Sequence, residues 1–243
     1  MRMLTFAKRT FKEILRDPLT VFFGLGFPLV LILLLTAIQQ NIPVALFEIE
    51  RLTPGVTVFG LAFMSLFSAT LISKDRASAL LERLYTTPLT PLDFILGYTL
   101  PIIPISLAQS VICYIAGLVL GLKFSVNMLL AIVFIIPISI LYIAIGLLCG
   151  STLNDKQVGG ICGALLTNLS AWLSGIWFDL ELVGGAFKKI SYALPFVHAV
   201  ELEKAVLLGN FDKIFDHIFW VIGYAVVLLA LAVLMFLRNM KKS

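Results

Sequence analysis

The stretch TPGVTVFGLAFMSLFSATLISKDRASALLERLYTTPLTPLD, residues 53–93, decides the fold of this chain. Its first half, residues 53–73, is apolar and long enough to cross a bilayer as a helix, which takes about 20 residues. Its second half is a short island of charged and polar residues interrupted by Pro88 and Pro91. An apolar span followed by such an island predicts a membrane helix whose end can bind a partner outside the bilayer.

The composition extends this interpretation to the whole chain. Of the 243 residues 60% are hydrophobic and 13% are charged, and the mean hydropathy is +1.04. A soluble domain carries about 25% charged residues. No polar stretch is long enough to hold a soluble core. We therefore predict an all-α integral membrane protein that forms a single transmembrane domain over residues 1–243.

Apolar stretches free of Asp, Glu, Lys and Arg predict six membrane spans. The first is too long for the apolar region of a signal peptide, so we expect it to be retained. The six stretches are approximately 19–38, 53–73, 94–121, 126–150, 158–178 and 217–237.

The distribution of charge predicts the orientation. If both termini are cytoplasmic, the inner segments hold 12 of the 18 basic residues and the outer segments hold eight of the 14 acidic residues. Basic residues favour the cytoplasmic side of a membrane protein. We therefore expect a plasma (inner) membrane protein with both termini inside. The positive net charge then reflects topology, and nucleic acid is not an expected partner.

Residues 2–16 have the pattern of an amphipathic helix. Its apolar residues fall on one side and its basic residues on the other, with Phe6 alone out of place. Such a helix lies in the membrane interface with its basic face toward lipid phosphates. Asp17-Pro18 ends it after Arg16 and starts the first span. We expect residues 1–17 to form an elbow helix.

The polar island predicts a short helix over about 77–85, with Leu80, Leu81 and Leu84 on one face. A second helix is expected to start at Thr90, because Pro91 suits its first position and Asp93 can complete a capping box. The island is either a rigid docking helix for a partner or a solvated loop.

Residues 179–216 are too long for a turn and too apolar for a free loop. Two helical segments, 186–194 and 196–208, flank Pro195, and Gly209-Asn210 stops the second. Each is too short to span a bilayer, so we expect re-entrant or interfacial helices at the outer end.

The fifth predicted span is rich in small and polar residues, among them Thr167 and Asn168. Small residues allow close helix contacts and a buried Asn can bond across an interface. This pattern indicates packing within one bundle, a dimer interface or a translocation path. Phe59, Met64 and Phe67 of the second span are either soft contacts for a lipophilic substrate or ordinary packing residues.

Catalytic signatures are missing from the sequence. It has no phosphate-binding GxxxxGK[ST] loop and no HExxH, and His198 and His217 are expected to be isolated. Ion-driven carriers usually keep acidic or histidine residues inside the membrane. The six spans contain no acidic residue, which argues against such a carrier.

Two segments resemble the type-2 ABC transporter permease family. One is Glu82-Arg83-Leu84-Tyr85-Thr86-Thr87-Pro88-Leu89-Thr90-Pro91, with Gly97 following. The other is Ser174-Gly175-Ile176-Trp177-Phe178, followed by Leu194-Pro195 and Leu207-Leu208-Gly209. Arg16-Asp17-Pro18 is similar to the elbow-to-span junction of the family. Asp179 departs from the pattern, since many members have a proline there.

The resemblance implies a mechanism. Two copies, or this chain and a related one, would form a pore of twelve spans, and separate cytoplasmic ATPase subunits would bind the ATP and Mg²⁺. This chain would then hold no cofactor and catalyse no reaction. The ATPases would dock on the 77–85 helix and on the elbow near Arg16 and Asp17. Within the docking helix we expect contacts from Leu80, Glu82, Arg83, Leu84 and Pro88.

Two other functions stay open on the sequence alone. An ion-coupled secondary carrier or channel would need intramembrane ionisable groups or internal repeats. A membrane enzyme would need a carboxylate or histidine cluster near an interface. For the exporter, the apolar interior and the short outer loop at 39–52 favour a lipophilic drug, antibiotic, peptide or lipid as substrate.

Overall fold

The computed structural model describes residues 2–43, 46–78 and 90–240, and this part of the chain is helical throughout its regular structure. The helices, in chain order, are α1 Arg2–Arg16, α2 Pro18–Gln39, α3 Ile49–Ala77, α4 Pro91–Val119, α5 Val126–Thr152, α6 at 155–173, α7 Leu180–Val183, α8 Gly185–Ala193, α9 Pro195–Leu208 and α10 Ile214–Met240.

Five of these helical segments are long and apolar enough to cross a membrane: Pro18–Gln39, Ile49–Ala77, Leu92–Val119, Val126–Thr152 and Phe211–Arg238. Helix α6 is not among them. It begins at Asp155 and ends at Leu173, and turns follow where the sequence predicts helix up to residue 178. The all-helical membrane fold is thus confirmed, and the fifth predicted span, 158–178, stays a prediction.

Helix α3 is the centre of the bundle and is buried over most of its length. It packs against α5 through small residues. A Cβ placed on Gly150 would lie 2.7 Å from the carbonyl oxygen of Ala69, and one on Gly146 would collide with Ser65 and Ser68. Gly146 and Gly150 are four residues apart and face α3 together, so the two backbones approach closely.

Helices α2 and α10 lie at the periphery and expose apolar side chains such as Leu34 and Phe219. Helix α2 contains one π-helical segment, Phe22–Gly26, directly before Pro28. Proline has no N–H and its ring crowds the carbonyl group four residues earlier, so a wider turn at this point relieves the conflict.

Helix α9 enters the bundle at the end opposite α1. Pro195 occupies its first turn and Gly209 ends it with a φ of 75°, in the left-handed region that glycine favours. Both features are as the sequence predicts. Most of its side chains are buried against α3, α5 and α10, and with 14 residues it is too short to span a bilayer.

Candidate functional site

A buried carboxylate, Asp75, joins three helices at the α1 end of the bundle. It lies two residues before Ala77, the last residue of α3, and is 3% exposed. Its two oxygens accept hydrogen bonds from Arg9 of α1, each 2.8 Å long. The hydroxyl of Tyr98 in α4 donates a third bond, 2.7 Å long, to the same carboxylate.

The pairing of Arg9 with Asp75 is bidentate, which fixes the orientation of both side chains. Hydrogen bonding to Asp75 raises the pKa of Arg9 above its usual range. Arg9 also bonds Glu13, one turn further along α1, at 2.9 Å. Helix α1 is thus held to the end of α3 by a charge-assisted contact in which Asp75 is buried and Arg9 is partly exposed to solvent.

The next residue of α3 links it to α5. The guanidinium of Arg76 donates to the carbonyl oxygens of Gly150 and Leu153, at 2.9 and 3.2 Å. These carbonyls lie at the end of α5, where they have no partner within the helix. One turn earlier, the hydroxyl of Ser73 lies 3.2 Å from the Asp155 carboxylate at the start of α6.

An aromatic contact supports the polar one. The ring of Phe6 packs edge-on against Tyr98, with ring centroids 5.0 Å apart, and against Phe94 at 6.0 Å. The space for this ring exists because residue 97 is a glycine, since a Cβ there would collide with Phe6. Phe6, which breaks the amphipathic pattern of α1, is therefore the residue that docks α1 on α4.

Helix α4 begins with the predicted capping box. The side chain of Thr90 accepts a bond from the backbone N–H of Asp93, and the Asp93 carboxylate accepts a bond from the backbone N–H of Thr90 at 2.8 Å. Residues 79–89 connect Ser78, at the end of α3, to Thr90. Both attachment points of this segment thus belong to the helices that Asp75 joins. We call Ser73, Asp75, Arg76, Arg9 and Tyr98 the polar junction.

The predicted docking residues Leu80, Glu82, Arg83, Leu84 and Pro88 lie outside the described residues, so their role stays a prediction. Of the elbow residues, Arg16 is exposed at the end of α1. Asp17 caps α2 and accepts bonds from Leu19, Thr20 and the Thr20 hydroxyl. Burial opposes the shift, but these hydrogen bonds lower the pKa of Asp17.

The residues proposed for a substrate path occupy two different places. Phe59, Met64 and Phe67 are buried in α3, where Phe59 contacts Trp177 and Phe67 lies against Gly24. Thr167 and Asn168 lie on α6 and bond the backbone of their own helix. Asn168 is exposed. A substrate role for either set stays a prediction.

The sequence does not predict two polar contacts that the structure shows at the α9 end. His198 and His217, expected to be isolated, lie with their Nδ1 atoms 2.9 Å apart. Glu203, which the sequence places among ordinary loop residues, is completely buried and bonded to Tyr114. The sequence predicted a re-entrant or interfacial helix here, but it does not show which of the side chains on that helix meet another helix, so these two contacts were not predicted.

The geometry of the polar junction suits mechanical linkage and not bond-making. Its charged groups are paired with one another or with backbone carbonyls, and no group of three or more His, Cys, Asp or Glu able to hold a metal occurs among residues 2–43, 46–78 and 90–240. A family model described as ABC-2 type transporter matches residues 1–208. The chain belongs to the ABC-2 type transporter family.

The match covers the polar junction, α6 and all of α9, and stops before α10. No individual curated protein matches the chain. Members of the ABC-2 family are membrane components of ABC transporters and are not themselves catalytic. The chain is therefore a multi-pass membrane subunit of an ABC-type transporter.

Proposed function

We infer that this subunit belongs to an ATP-driven exporter and receives force from separate ATPase subunits at the segment 79–89. The observation that carries this proposal is the Asp75 carboxylate. It binds α1 and α4 from a position three residues before Ser78, where the segment begins. A push on 79–89 would reach α3, α4, α1 and, through Arg76, α5 together.

This arrangement supports a two-state mechanism. ATP binding would close the ATPase pair, displace the polar junction and switch the bundle between inward-facing and outward-facing states. ATP and Mg²⁺ would stay with the ATPases. The positive charge at the α1 end supports a cytoplasmic position for that end and for both termini, in a plasma (inner) membrane.

Helix α6 supports a pore built from two permease chains, this one and a second copy or a relative. One stripe on its outward face, beside the exposed Ile161, Leu165 and Leu169, is Gly160, Ala164, Asn168 and Trp172, four residues apart. Two of these are small and one is polar, a composition that suits a helix contact inside a membrane better than contact with lipid tails. With α6 counted as a span, each chain would supply six and the pore twelve.

The proposed substrate is lipophilic: a drug, an antibiotic, a peptide or a lipid. The buried surface of α3 is mainly aliphatic and aromatic between Leu52 and Ile72, and Met64 and Phe67 supply adaptable apolar contacts there. The described outer connections are short helices and turns, which favours export without a large extracellular receptor domain.

The first test is affinity purification of the chain from its native membrane in mild detergent. We expect an ABC ATPase in near-equal amount, and any second permease chain recovered with it decides between homodimer and heterodimer. Reconstitution of the recovered complex in liposomes should give ATP-dependent export of a lipophilic dye. Recovery of no ATPase under several gentle conditions would contradict the proposal.

A second candidate is an ion-coupled carrier, and the buried Glu203 is the observation that favours it. The same liposomes separate the two candidates. Transport that needs a proton gradient and proceeds without ATP would establish the carrier, whereas transport that needs ATP at zero gradient would establish the exporter.

A further inference from the structure

Glu203 is a fully buried acid at a joint between two helices. It lies on α9, 0% exposed, and its Oε1 accepts a 2.7 Å hydrogen bond from the Tyr114 hydroxyl on α4. Its Oε2 is buried and has no hydrogen-bond partner. The bond from Tyr114 spans 89 residues of sequence and ties α9 to α4.

No cation compensates this carboxyl among the residues that the structure describes. The neighbouring Lys204 turns to Glu201, with 2.9 Å between the ammonium and the carboxylate. The titratable groups nearest α9 on the elements around it include Tyr114 and Cys113 of α4, Tyr142 of α5, Asp216, His217 and Tyr224 of α10, Tyr192 and two lysines of α8, and Asp212 and Lys213 before α10. Tyr142 bonds Ser170 and His217 bonds His198. Helix α3 has no titratable residue between Leu52 and Ser73.

A buried carboxylate without a cation is costly, because the charge loses its hydration and gains little in return. One neutral hydrogen bond does not replace the several that water gives an ionised carboxylate. The neutral acid fits the same site better. A proton on Oε2 leaves Oε1 as a carbonyl-type acceptor for the Tyr114 hydroxyl, which is the bond observed.

We propose that Glu203 is a proton-binding site, occupied while α9 is closed on α4 and vacated when the two helices separate. The step is a simple dissociation: the O–H bond of the carboxylic acid breaks, the electron pair stays on Oε2, and the proton passes to water that enters the joint. Nothing else is consumed. The proton site itself does not depend on the exporter mechanism, but its link to opening of the bundle rests on the proposed function.

The sign of the pH dependence follows from the two environments. Burial raises the pKa of Glu203 to about 8 in the closed joint, while an exposed glutamate titrates near pH ~4. Between these values the closed form holds a proton that the open form has lost. The closed form is therefore favoured as the pH falls, and the open-to-closed ratio rises by at most about tenfold per pH unit.

Infrared spectroscopy of the full chain in lipid nanodiscs tests the proton site without any ATPase. At pH 6.5 we expect a C=O stretching band of a protonated carboxylic acid that is absent from Glu203→Gln. The band should persist in Glu201→Gln, the matched change two residues away on the exposed side of α9. In Tyr114→Phe it should move to higher wavenumber, because the carbonyl oxygen loses its donor.

Identical spectra for the wild type and Glu203→Gln at pH 6.5 would overturn the proton site. Should Glu203→Gln fail to fold, the shift in Tyr114→Phe still decides, because an unchanged band there excludes Glu203 as its source.

Opening of the joint is tested by a distance measurement in the same nanodiscs. Spin labels at Lys123 and Asn210, two exposed positions beyond the ends of α4 and α9, should show a longer-distance population that grows as the pH rises from 5 to 8. Glu203→Gln should hold the shorter distance at every pH. His198 and His217 are unchanged in that variant, so a pH response that survives in it would assign the effect to the histidines and overturn the switch. Failure to recover an ATPase would contradict the proposed function but would not affect the infrared test of the proton site.

Discussion

Arg9 and Asp75 meet through two parallel hydrogen bonds of 2.8 Å, although 66 residues separate them in the sequence. One partner is a half-buried basic residue of α1 and the other is a buried acid at the end of the central helix α3. The pair ties α1 to α3, so in the proposed exporter we expect the two helices to move together.

Replacing Asp75 by Asn should weaken this connection. The change leaves the shape of the side chain but removes the charge that Arg9 requires, and we expect a loss of about 1.5–3 kcal/mol in stability. Thermal unfolding of the purified chain measures it. In the reconstituted complex, the ratio of ATP hydrolysed to substrate moved should rise.

Glu13→Gln is the matched control for that experiment. Glu13 bonds the same guanidinium at 2.9 Å, but 40% of each of the two side chains is exposed. Such exposed pairs contribute about 0–1 kcal/mol. Equal effects of the two variants would show that the Asp75 bond contributes no more to stability than the exposed Arg9–Glu13 pair within α1, and would contradict its role in holding α1 to α3.

Gly97→Ala should displace the elbow helix. The added methyl group collides with the Phe6 ring, and overpacking of this kind typically costs about 1–3 kcal/mol. Phe6→Ala should cost a similar amount by leaving a cavity, while the double variant should be less damaged than the sum of the two. A double-mutant cycle on unfolding free energies measures the coupling, and additive effects would contradict the contact.

Gly150→Ala should destabilise the α3–α5 contact, again by about 1–3 kcal/mol. Its Cβ would meet the backbone of Ala69, which cannot yield as a flexible side chain does. Gly223→Ala in α10 is the control, because a Cβ there has no neighbour within 4 Å and helix propensity favours alanine by about 1 kcal/mol. Comparable unfolding temperatures for the two variants would disprove the close approach.

Asp17→Ala should loosen the start of the first span by removing its N-cap, at a cost of about 1 kcal/mol. Because the pKa of Asp17 is lowered in the folded chain, the cap contributes its stability above the ordinary pKa and loses it as the pH falls through the lowered value. The difference in melting temperature between wild type and variant should therefore shrink below about pH 4. A difference that is constant from pH 7 to pH 3 would exclude a role for the ionised side chain.

Glu82→Lys tests the predicted docking segment, which lies outside the described residues. We expect the variant to insert and fold normally but to uncouple ATP hydrolysis from transport. Glu13→Lys reverses a charge on α1 and controls for a general effect of charge. Normal transport by Glu82→Lys would remove Glu82 from the set of docking residues.

Local sequence patterns predicted much of this fold because the interactions that set the helix ends act over short range. The cap at Thr90, the first-turn Pro195 and the stop at Gly209 each depend on residues within one turn, and all three are confirmed. The family resemblance is confirmed as well, because it rests on the order of such local features over most of the chain.

Long-range contacts were beyond the sequence. Periodicity marked Phe6 as an exception but could not say that a glycine on another helix makes room for it. The hydropathy pattern placed Glu203 in an outer connection between two spans. A helix that folds back into a bundle is shorter than a span, so its length does not mark it as buried. Its hydrogen-bond partner in the folded chain, Tyr114, lies 89 positions away from Glu203 in the sequence.

The fit between α3 and α5 limits where the bundle can bend. Gly146 and Gly150 of α5 pack closely against Ser65 and Ala69 of α3. Arg76 hydrogen-bonds the end of α3 to the end of α5. In the proposed exporter we therefore expect α3 and α5 to move together as one rigid body. Alternation between the two sides of the membrane would then bend the bundle elsewhere, and the π-helical segments Phe22–Gly26 of α2 and Gly159–Leu166 of α6 are the expected hinges.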